Sequence, residues 1–289
     1  MSKVAIMTDS NSGLSLSEAR EYGISVVPMP FFIDGKVFYE GVTISRDEFF
    51  AKLNGGADIS TSQPEPATVI DMWSYLLKDH DEVVYVPMSS GLSGACNTAK
   101  MLSRDFDGRV RVVDNQRISV PLVQSLLDAR KLADDGASAD EIGRTLEETR
   151  FDNSIYIMVD TLKYLKKGGR VTPLAATVGT VLNIKPVLQI QGEKLDAYSK
   201  ARGKAQSKAV MIDALRKTLD GKFKGLDPVK DLWLEAAHTV SEEEALIWKR
   251  ELEEAFPGME CRVAPLGLSI ACHTGEGALG CAFTKRMFR

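Results

Sequence analysis

The chain has 289 residues, of which 44% are hydrophobic and 26% are charged, and its formal net charge is −4. This charge argues against non-specific nucleic-acid binding, which requires a basic surface. No run approaches the roughly 18 consecutive apolar residues of a membrane span, and the apolar run at 4–7 is too short for a signal-peptide core. We therefore expect a cytoplasmic protein with no stable membrane insertion and no nucleic-acid partner.

Cysteine and histidine residues are too sparse for the common metal motifs. The four cysteines include no C-x-x-C pair, and the three histidines lie far apart with no H-x-x-x-H spacing. Zinc sites are normally built from closely spaced ligands of these types. We therefore predict no metal site, no cofactor and reduced thiols, which are usual in the cytosol.

The first half of the chain alternates strand-like and helix-like segments. Apolar runs predict strands at 4–8, 24–33, 36–39, 82–87 and 109–114. Helices are predicted at 17–22, 45–54, 67–78, after residue 94 and at 118–135, and the second of these is opened by the capping box Ser45-x-x-Glu48. A further helix is opened by the box Ser138-x-x-Glu141 and ends near residues 149–152. Asp34-Gly35 predicts a hairpin turn that leads into the strand at 36–39. This βαβ rhythm predicts an α/β domain at 1–150 with a mostly parallel sheet and helices on both faces.

The second half is less regular. Strands are predicted at 153–160, 186–191, 195–199, 232–237 and 261–265, the second and third of them joined as a hairpin. Helices are predicted at 161–168, 172–182 and 205–219, and another is opened by Ser241-x-x-Glu244. We expect a second domain at 151–289 that is a mixed α/β sandwich.

Three hydroxyl-rich segments occupy predicted turns in the first half. They are Thr8-Asp9-Ser10, Thr61-Ser62-Gln63-Pro64 and Ser89-Ser90-Gly91-Leu92-Ser93-Gly94. Open α/β sheets bind ligands beyond the carboxyl ends of their strands, and a following helix presents free N–H groups. The segments together predict an oxyanion-binding mouth of neutral donors. The alternative is that their hydroxyl groups only cap helices and fill turns.

Two motifs suggest other chemistry. Gly91 to Ala95 nearly fits the G-x-S-x-G pattern, which would make Ser93 the nucleophile and His273 the base of a serine acyl hydrolase, although Pro87 to Leu92 separate Ser93 from its strand. Gly275 to Gly280 fits G-x-G-x-x-G, but it lies too near the end of the sequence for a dinucleotide site. We interpret it as a tight turn that positions His273 and Thr274.

A basic cluster surrounds Gly168-Gly169. Its members are Lys163, Lys166, Lys167 and Arg170. The cluster fits a solvated helix end, because cations are favourable at a helix C-terminus. It also fits a docking patch for an acidic or phosphate-bearing partner, which leaves open a lipid-free interaction module.

Five motifs occur in one order along the chain: the three hydroxyl-rich segments, then Leu165-Lys166-Lys167-Gly168-Gly169-Arg170, then His273-Thr274-Gly275. With these motifs the chain resembles the DegV family of bacterial fatty-acid-binding proteins. The resemblance covers nearly the whole chain. It implies two α/β domains with a ligand tunnel between or within them, which holds a long-chain fatty acid such as palmitate or oleate. It also implies that a separate fatty acid kinase phosphorylates the bound carboxylate, so that this chain is a carrier and not an enzyme.

The resemblance also assigns roles to particular residues. It implies that Thr61 and Ser93 hold the carboxylate, with Ser62 close by. Arg170 and His273 match residues near the head group, and Thr274 follows directly. Three departures from the family pattern stand out: Glu65, Glu276 and the Ala95-Cys96-Asn97 stretch. The two glutamates add negative charge to the kinase-docking surface that the resemblance implies.

Such a site is physically reasonable. Burying an acyl chain is favourable by about 0.8 kcal/mol per methylene, so a sixteen-carbon chain gains on the order of 10 kcal/mol before the costs of binding. A buried carboxylate without donors would offset several kcal/mol of this gain. Hydroxyl donors satisfy the oxygens and leave them accessible to a second enzyme, whereas a bidentate arginine would cover them.

Overall fold

The computed structural model describes residues 3–177 and 184–288. The chain divides into two compact units: Met1–Phe151 with Gly267–Ser269, and Asp152–Leu266 with Ile270–Arg289. Both units are α/β. Whether 1–150 and 151–289 are domains that fold independently stays a prediction.

The first unit contains a parallel sheet and a smaller antiparallel sheet. Its strands are β1 Val4–Asp9, β2 Ile24–Val27, β3 Phe31–Ile33, β4 Lys36–Phe38, β5 Ile59–Thr61, β6 Glu82–Val86 and β7 Val110–Val112. The parallel sheet has the order β2-β1-β6-β7, and the antiparallel sheet has the order β4-β3-β5. The chain passes from β1 to β2 on one side and from β6 to β7 on the other. This reversal of direction places a crevice between β1 and β6, at the carboxyl ends of the two strands.

Helices of the first unit begin where the sequence places caps. They are α1 Leu16–Glu21, α2 Arg46–Asn54, α3 Pro66–Leu76, α4 Ala95–Leu102, α5 Val120–Asp134 and α6 Ala139–Glu148. Complete capping boxes open α1, α2 and α6, with Ser15, Ser45 and Ser138 as the caps. Each box satisfies N–H groups that the helix leaves without partners.

The predicted strand at 24–33 is wrong in one respect, because the structure has two strands there in different sheets. Pro28 and Pro30 separate β2 from β3. Proline has no N–H and cannot continue a ladder on both sides. The N–H of Met29 between them donates to the Ser10 hydroxyl at 2.9 Å. The prediction also missed β5, which ends at Thr61.

The second unit is built on one mixed sheet. Its strands are β8 Asn153–Met158, β9 Ile184–Ile190, β10 Asp196–Arg202, β11 Leu232–His238, β12 Cys261–Pro265 and β13 Leu279–Lys285. The order is β10-β9-β8-β13-β11-β12, with β11 and β12 parallel and every other pair antiparallel. The predicted hairpin is present as β9 and β10.

The helices that follow are α7 Lys163–Gly168, α8 Pro173–Thr177, α9 Gly203–Asp220, α10 Pro228–Asp231, α11 Glu242–Ala255 and α12 Leu268–Thr274. Of the helix predicted at 172–182, α8 is the described part, and 178–182 lies outside the described residues. The prediction missed α10, α12 and β13. Strand β13 is central and buried on both faces up to Thr284, so it lacks the alternation that marks a half-exposed strand.

The main core of the second unit lies on one face of this sheet. Met211 and Leu215 from α9, Trp248 and Leu252 from α11 and Phe283 from β13 are fully buried there. The Trp248 indole donates a hydrogen bond to the Gly280 carbonyl at 3.0 Å, so its polar atom is satisfied. This core anchors β11 and β13, whose ends carry the turn described below.

Within the described ranges, no helix has the length and hydrophobicity needed to cross a bilayer. Among the same residues, no group of three His, Cys, Asp or Glu side chains is arranged to hold a metal ion.

Candidate functional site

A buried carboxylate organises the crevice of the parallel sheet. Asp9 ends β1 and is fully buried. Its carboxylate accepts hydrogen bonds from the N–H groups of Asn11 at 2.9 Å and Met88 at 2.8 Å. Burial raises the pKa of Asp9 to about 6, although the two backbone donors act in the opposite direction. Asp9 thereby fixes the start of the loop that follows β6.

That loop presents Ser93. The Ser89 N–H donates to the Arg117 carbonyl at 2.9 Å, and the Ser93 N–H donates to the Ser89 carbonyl at 3.1 Å. The half-buried Ser93 hydroxyl oxygen accepts from the Ala95 N–H at 3.2 Å, at the start of α4. No acceptor for the Ser93 O–H is present among the described residues. Its proton is therefore available to a ligand.

The T-S-Q-P segment lies against the same helix. Thr61 ends β5 and is half-buried, whereas Ser62 is exposed. Gln63 accepts a hydrogen bond from the Thr98 hydroxyl on α4 at 2.9 Å. The structure thus brings Gln63 of this segment to the helix that Ser93 precedes, and the binding of an oxyanion by Thr61, Ser62 and Ser93 stays a prediction.

Other hydroxyl groups of the predicted mouth serve the protein's own backbone. Thr8 donates to the Val86 carbonyl at 2.8 Å, and Ser10 accepts from Met29. The Ser89 hydroxyl accepts from the Gly91 N–H at 3.2 Å. For these three side chains the capping and turn roles are the ones that the structure displays.

Among the departures from the family pattern, the two glutamates lie at the surface and Cys96 lies in the core. Glu65 and Glu276 are exposed, and Glu65 is the residue before α3 without a side-chain cap. Cys96 is buried in the core of the first unit, and burial raises the pKa of its thiol to about 12. A neutral buried thiol is a packing residue and not a nucleophile.

Ser93 does not lie at a nucleophile elbow. Strand β6 ends at Val86 and α4 begins at Ala95, so Ser93 belongs to the loop and not to a sharp strand-to-helix corner. The elbow exposes its serine by strain at that corner. The hydrolase alternative stays a hypothesis that labelling must test.

In the second unit, His273 lies against a glycine. It belongs to α12, and a Cβ atom on Gly168 would stand only 2.1 Å from its Nδ1. Only glycine leaves room for the ring at this distance. The K-K-G-G-R motif therefore contains Gly168 because the imidazole packs on its backbone.

Arg170 and His273 interact electrostatically. The Arg170 guanidinium donates to the Gly168 carbonyl, which places it in the same corner of the molecule. Burial lowers the pKa of His273 to about 4, and the charge of Arg170 lowers it further in the same direction. The imidazole is consequently neutral at pH 7, with one nitrogen that donates and one that accepts.

The G-x-G-x-x-G segment follows α12 as a tight turn. Gly275 and Gly277 have φ of 73° and 86°, in the left-handed region. A Cβ on Gly275 would stand 2.7 Å from the Tyr164 ring, and one on Gly277 would stand 2.7 Å from the Asp160 carboxyl carbon. Gly280 already belongs to β13. The glycines thus admit close neighbours and hold the turn after Thr274, which is buried.

Thr239, which sequence reasoning missed, clamps this turn. It follows β11 and is 2% exposed. Its hydroxyl donates to the Gly275 carbonyl at 2.7 Å and accepts from the Ala278 N–H at 2.9 Å. Its own N–H donates to the Ala278 carbonyl at 3.0 Å. The signal that could have revealed it is a threonine just beyond the carboxyl end of a strand, the position already used for Thr8 and Thr61.

The basic cluster lies beside these residues on α7. Lys163, Lys166 and Lys167 are exposed, and the Lys163 ammonium lies 5.4 Å from the centre of the Tyr164 ring. Tyr164 in turn contacts Gly275. Lys163 and the turn after Thr274 are therefore connected through one aromatic ring.

Comparison with known proteins finds relatives that match almost the whole chain. A DegV domain-containing protein from Staphylococcus aureus is 30% identical over 99% of this chain and 100% of its own length. A solved structure of a DegV family protein from Thermus thermophilus, described by its fatty acid binding, is 30% identical in sequence and has a TM-score of 0.88. The superposition covers 98% of this chain and 99% of that one.

A DegV lipid binding protein from Thermotoga maritima is 27% identical, with a TM-score of 0.83 and coverage of 99% of both chains. Residues 3–286 match the profile of the family described as "Uncharacterised protein, DegV family". The match spans both compact units and every motif discussed above. This chain therefore belongs to the DegV family.

Proposed function

We propose that this protein binds one long-chain fatty acid, such as palmitate or oleate, in an internal tunnel and presents its carboxylate to a fatty acid kinase. The observation that carries the proposal is the Ser93 hydroxyl, which is fixed by Ala95 and keeps a proton for an acceptor. The relatives from Thermus thermophilus and Thermotoga maritima, described as binding fatty acid and lipid, support the class of ligand.

We assign the carboxylate oxygens to Thr61 and Ser93, with Ser62 beside them. Neutral hydroxyl donors satisfy a carboxylate that would otherwise cost several kcal/mol to bury. They bring no cation that would have to be desolvated in the empty protein. They also leave the oxygens open to attack on a phosphoryl donor held by a partner enzyme.

We assign the second unit a contribution to head-group binding through Arg170, His273 and Thr274. Because His273 is neutral at pH 7, it can donate one hydrogen bond without adding charge. Arg170 already donates to the Gly168 carbonyl, so it is held beside His273 before any ligand arrives. Arg170 and the exposed lysines of α7 are our candidates for the kinase contact.

Lipid binding is tested by mass spectrometry of the purified protein under native conditions and by lipid extraction. We expect a co-purified acyl chain, or uptake of added oleate at one molecule per chain. Absence of both would contradict the proposal. The Ser-reactive fluorophosphonate probe is the companion experiment: labelling of Ser93 would support the hydrolase alternative, and the carrier account expects none.

The kinase role is tested separately. A purified fatty acid kinase, ATP and oleate should yield acyl phosphate only when this protein is added. Arg170→Ala should reduce this yield more than it reduces oleate retention, because we place Arg170 at the partner contact. An equal loss of both would contradict that assignment, and acyl phosphate formation without this protein would remove the carrier role.

A further inference from the structure

The segments that carry Thr61 and Ser93 belong to different parts of the first unit. Thr61 ends β5 of the antiparallel sheet, whereas Ser93 lies in the loop between β6 of the parallel sheet and α4. A carboxylate carries its two oxygens on one carbon atom, so two hydroxyl groups bind it without an ordering cost only when their separation is already fixed. A contact that joins the two segments therefore decides how well the hydroxyl groups act as a pair.

Gln63 provides such a contact. It follows Ser62 directly, and its side-chain oxygen Oε1 accepts a hydrogen bond from the Thr98 hydroxyl at 2.9 Å. A Cβ atom on Gly94, the residue after Ser93, would lie 3.8 Å from the same oxygen, which is ordinary van der Waals contact. The Gln63 side chain thus lies close to the first turn of α4, beside Ser93 along the chain.

The two segments that this hydrogen bond joins are stiff. Pro64 and Pro66 line the same small space as Ala95 and Ala99 of α4. The proline rings fix φ at both positions, so the chain from Gln63 to α3 has few conformations. Loss of the hydrogen bond should therefore change the separation of the segments, because neither of them can absorb the change by local flexibility.

We propose that Gln63 is a positioning residue. Its hydrogen bond to Thr98 fixes the separation of the Thr61 and Ser93 segments and so gives the site its preference for a carboxylate over a head group with one oxygen. This inference rests on the fatty-acid binding proposed above. It assigns Gln63 and Thr98 a role that does not require contact with the ligand.

Removing the Thr98 hydroxyl tests this role without changing Thr61 or Ser93. Thr98→Val keeps the shape of the side chain and deprives Gln63 of this donor. We expect oleate to bind about five-fold more weakly, as for the loss of one hydrogen bond, whereas oleyl alcohol, whose single oxygen needs no pair of donors, should bind as it does to the wild type. Thr98→Ser, which keeps the hydroxyl group, should restore the affinity for oleate.

Gln63→Leu removes the acceptor instead of the donor and should have the same effect. A protein with both Gln63→Leu and Thr98→Val should bind oleate no more weakly than either single variant, because both changes remove one hydrogen bond. The matched control is Thr145→Val, which removes a half-buried hydroxyl group that donates to the Glu141 carbonyl on α6 at 2.8 Å. It should bind both lipids as the wild type does.

A second measurement needs no lipid. The backbone N–H groups of Ser62 and Ser93 both donate to backbone carbonyls. In the lipid-free protein, hydrogen exchange of both amides should be faster in Thr98→Val than in the wild type, because the segments open more readily when the contact between them is lost. Exchange should remain as in the wild type in Thr98→Ser and Thr145→Val.

The positioning role is wrong if Thr98→Val binds oleate as the wild type does, or if it loses affinity for oleate and oleyl alcohol alike, which would indicate general damage to the site. If the wild type binds no oleate, the proposed function fails, and hydrogen exchange alone decides whether Gln63 and Thr98 hold the two segments together. Unchanged exchange at Ser62 and Ser93 in Thr98→Val would show that they do not.

Discussion

The loop that carries Ser93 is held by hydrogen bonds to its main chain, whereas the turn after His273 combines the hydrogen bonds of Thr239 with side chains that pack on glycine backbone. In the first unit, Asp9 accepts from Met88 and the Ser89 carbonyl accepts from Ser93. In the second unit, His273 packs on Gly168 and Tyr164 packs on Gly275. The first arrangement leaves a hydroxyl proton available, and the second gives a neutral imidazole in a closely packed corner.

The difference teaches which mutations each region tolerates. The Ser93 loop should accept a change of side chain with loss of function but little loss of stability. The His273 corner should lose stability when Gly168, Gly275 or Gly277 gains a methyl group, because each Cβ position lies within 2.7 Å of a neighbouring side chain.

Gly168→Ala should destabilise the protein by about 3 kcal/mol, because its methyl group would overlap the His273 ring and force it to move. Urea denaturation measures the change. The matched control is Gly169→Ala: unlike Gly168, Gly169 has open space around its Cβ position, so its cost should be limited to the roughly 1–2 kcal/mol of a left-handed backbone. Equal losses in the two variants would contradict the close packing of His273.

The two regions should also respond to pH in opposite ways. In the first unit, burial raises the pKa of Asp128 to about 6 from 3.8, so the folded state binds more protons and stability falls as pH rises from 4 to 6. In the second, the pKa of His273 is lowered to about 4 from 6.5, so stability rises between pH 4 and 6.5. Each shift corresponds to about 3 kcal/mol at most.

Single variants should therefore separate two trends that partly cancel in the wild type. Asp128→Asn should remove part of the fall in the free energy of unfolding between pH 4 and 6, the rest of which comes from Asp9, whose pKa is also raised to about 6. His273→Gln should make that fall steeper, because it removes the opposing contribution. Urea denaturation at several pH values gives both curves. Parallel curves for the wild type and both variants would show that neither group is perturbed by folding.

Much of the fold follows from the sequence, and the reasons are local. The capping boxes at Ser45 and Ser138 and the hairpin turn at Asp34-Gly35 are confirmed, because each depends on neighbouring residues only. The missed strand β13 depends instead on its central place in the sheet. Its glycine and small residues give no alternating pattern, since both faces are covered.

The candidate residues show the same limit. The segments of Thr61 and Ser93 could be recognised as strand ends and helix beginnings, and their roles as ligands stay predictions. Thr239 could not be connected to Thr274 from the sequence, because the 34 residues between them form α11, β12 and most of α12, and the return of the chain to β11 depends on tertiary contacts. The need for glycine at position 168 is likewise visible only in the structure, where the His273 ring packs against its backbone.

Ser93→Ala should have a smaller free-energy effect, expressed in binding and not in folding. Loss of one hydrogen bond to a carboxylate should weaken oleate binding by about ten-fold, measured by a fluorescent fatty acid displaced by oleate. The melting temperature of the lipid-free protein should change little. Ser103→Ala, at the far end of α4 where the hydroxyl donates to the Lys100 carbonyl, is the control and should bind oleate as the wild type does.

Arg170→Gln should have the smallest effect. Removing its charge should raise the pKa of His273, but by less than burial lowers it, because burial is the larger cause. An NMR titration of the imidazole measures the shift. Lys163→Gln, which removes a charge from α7 without a part in the His273 titration, should leave the pKa unchanged. A fall in the pKa of His273 in Arg170→Gln would contradict the electrostatic interaction.

The most direct test of the central claim is a competition between oleate and oleyl alcohol, which share a chain and differ in the head group. The account predicts that the wild-type protein, incubated with both, retains one oleate per chain in native mass spectrometry, and that Ser93→Ala loses much of this preference. Equal retention of the two lipids by the wild type would show that hydroxyl groups do not select a carboxylate, and would contradict the account.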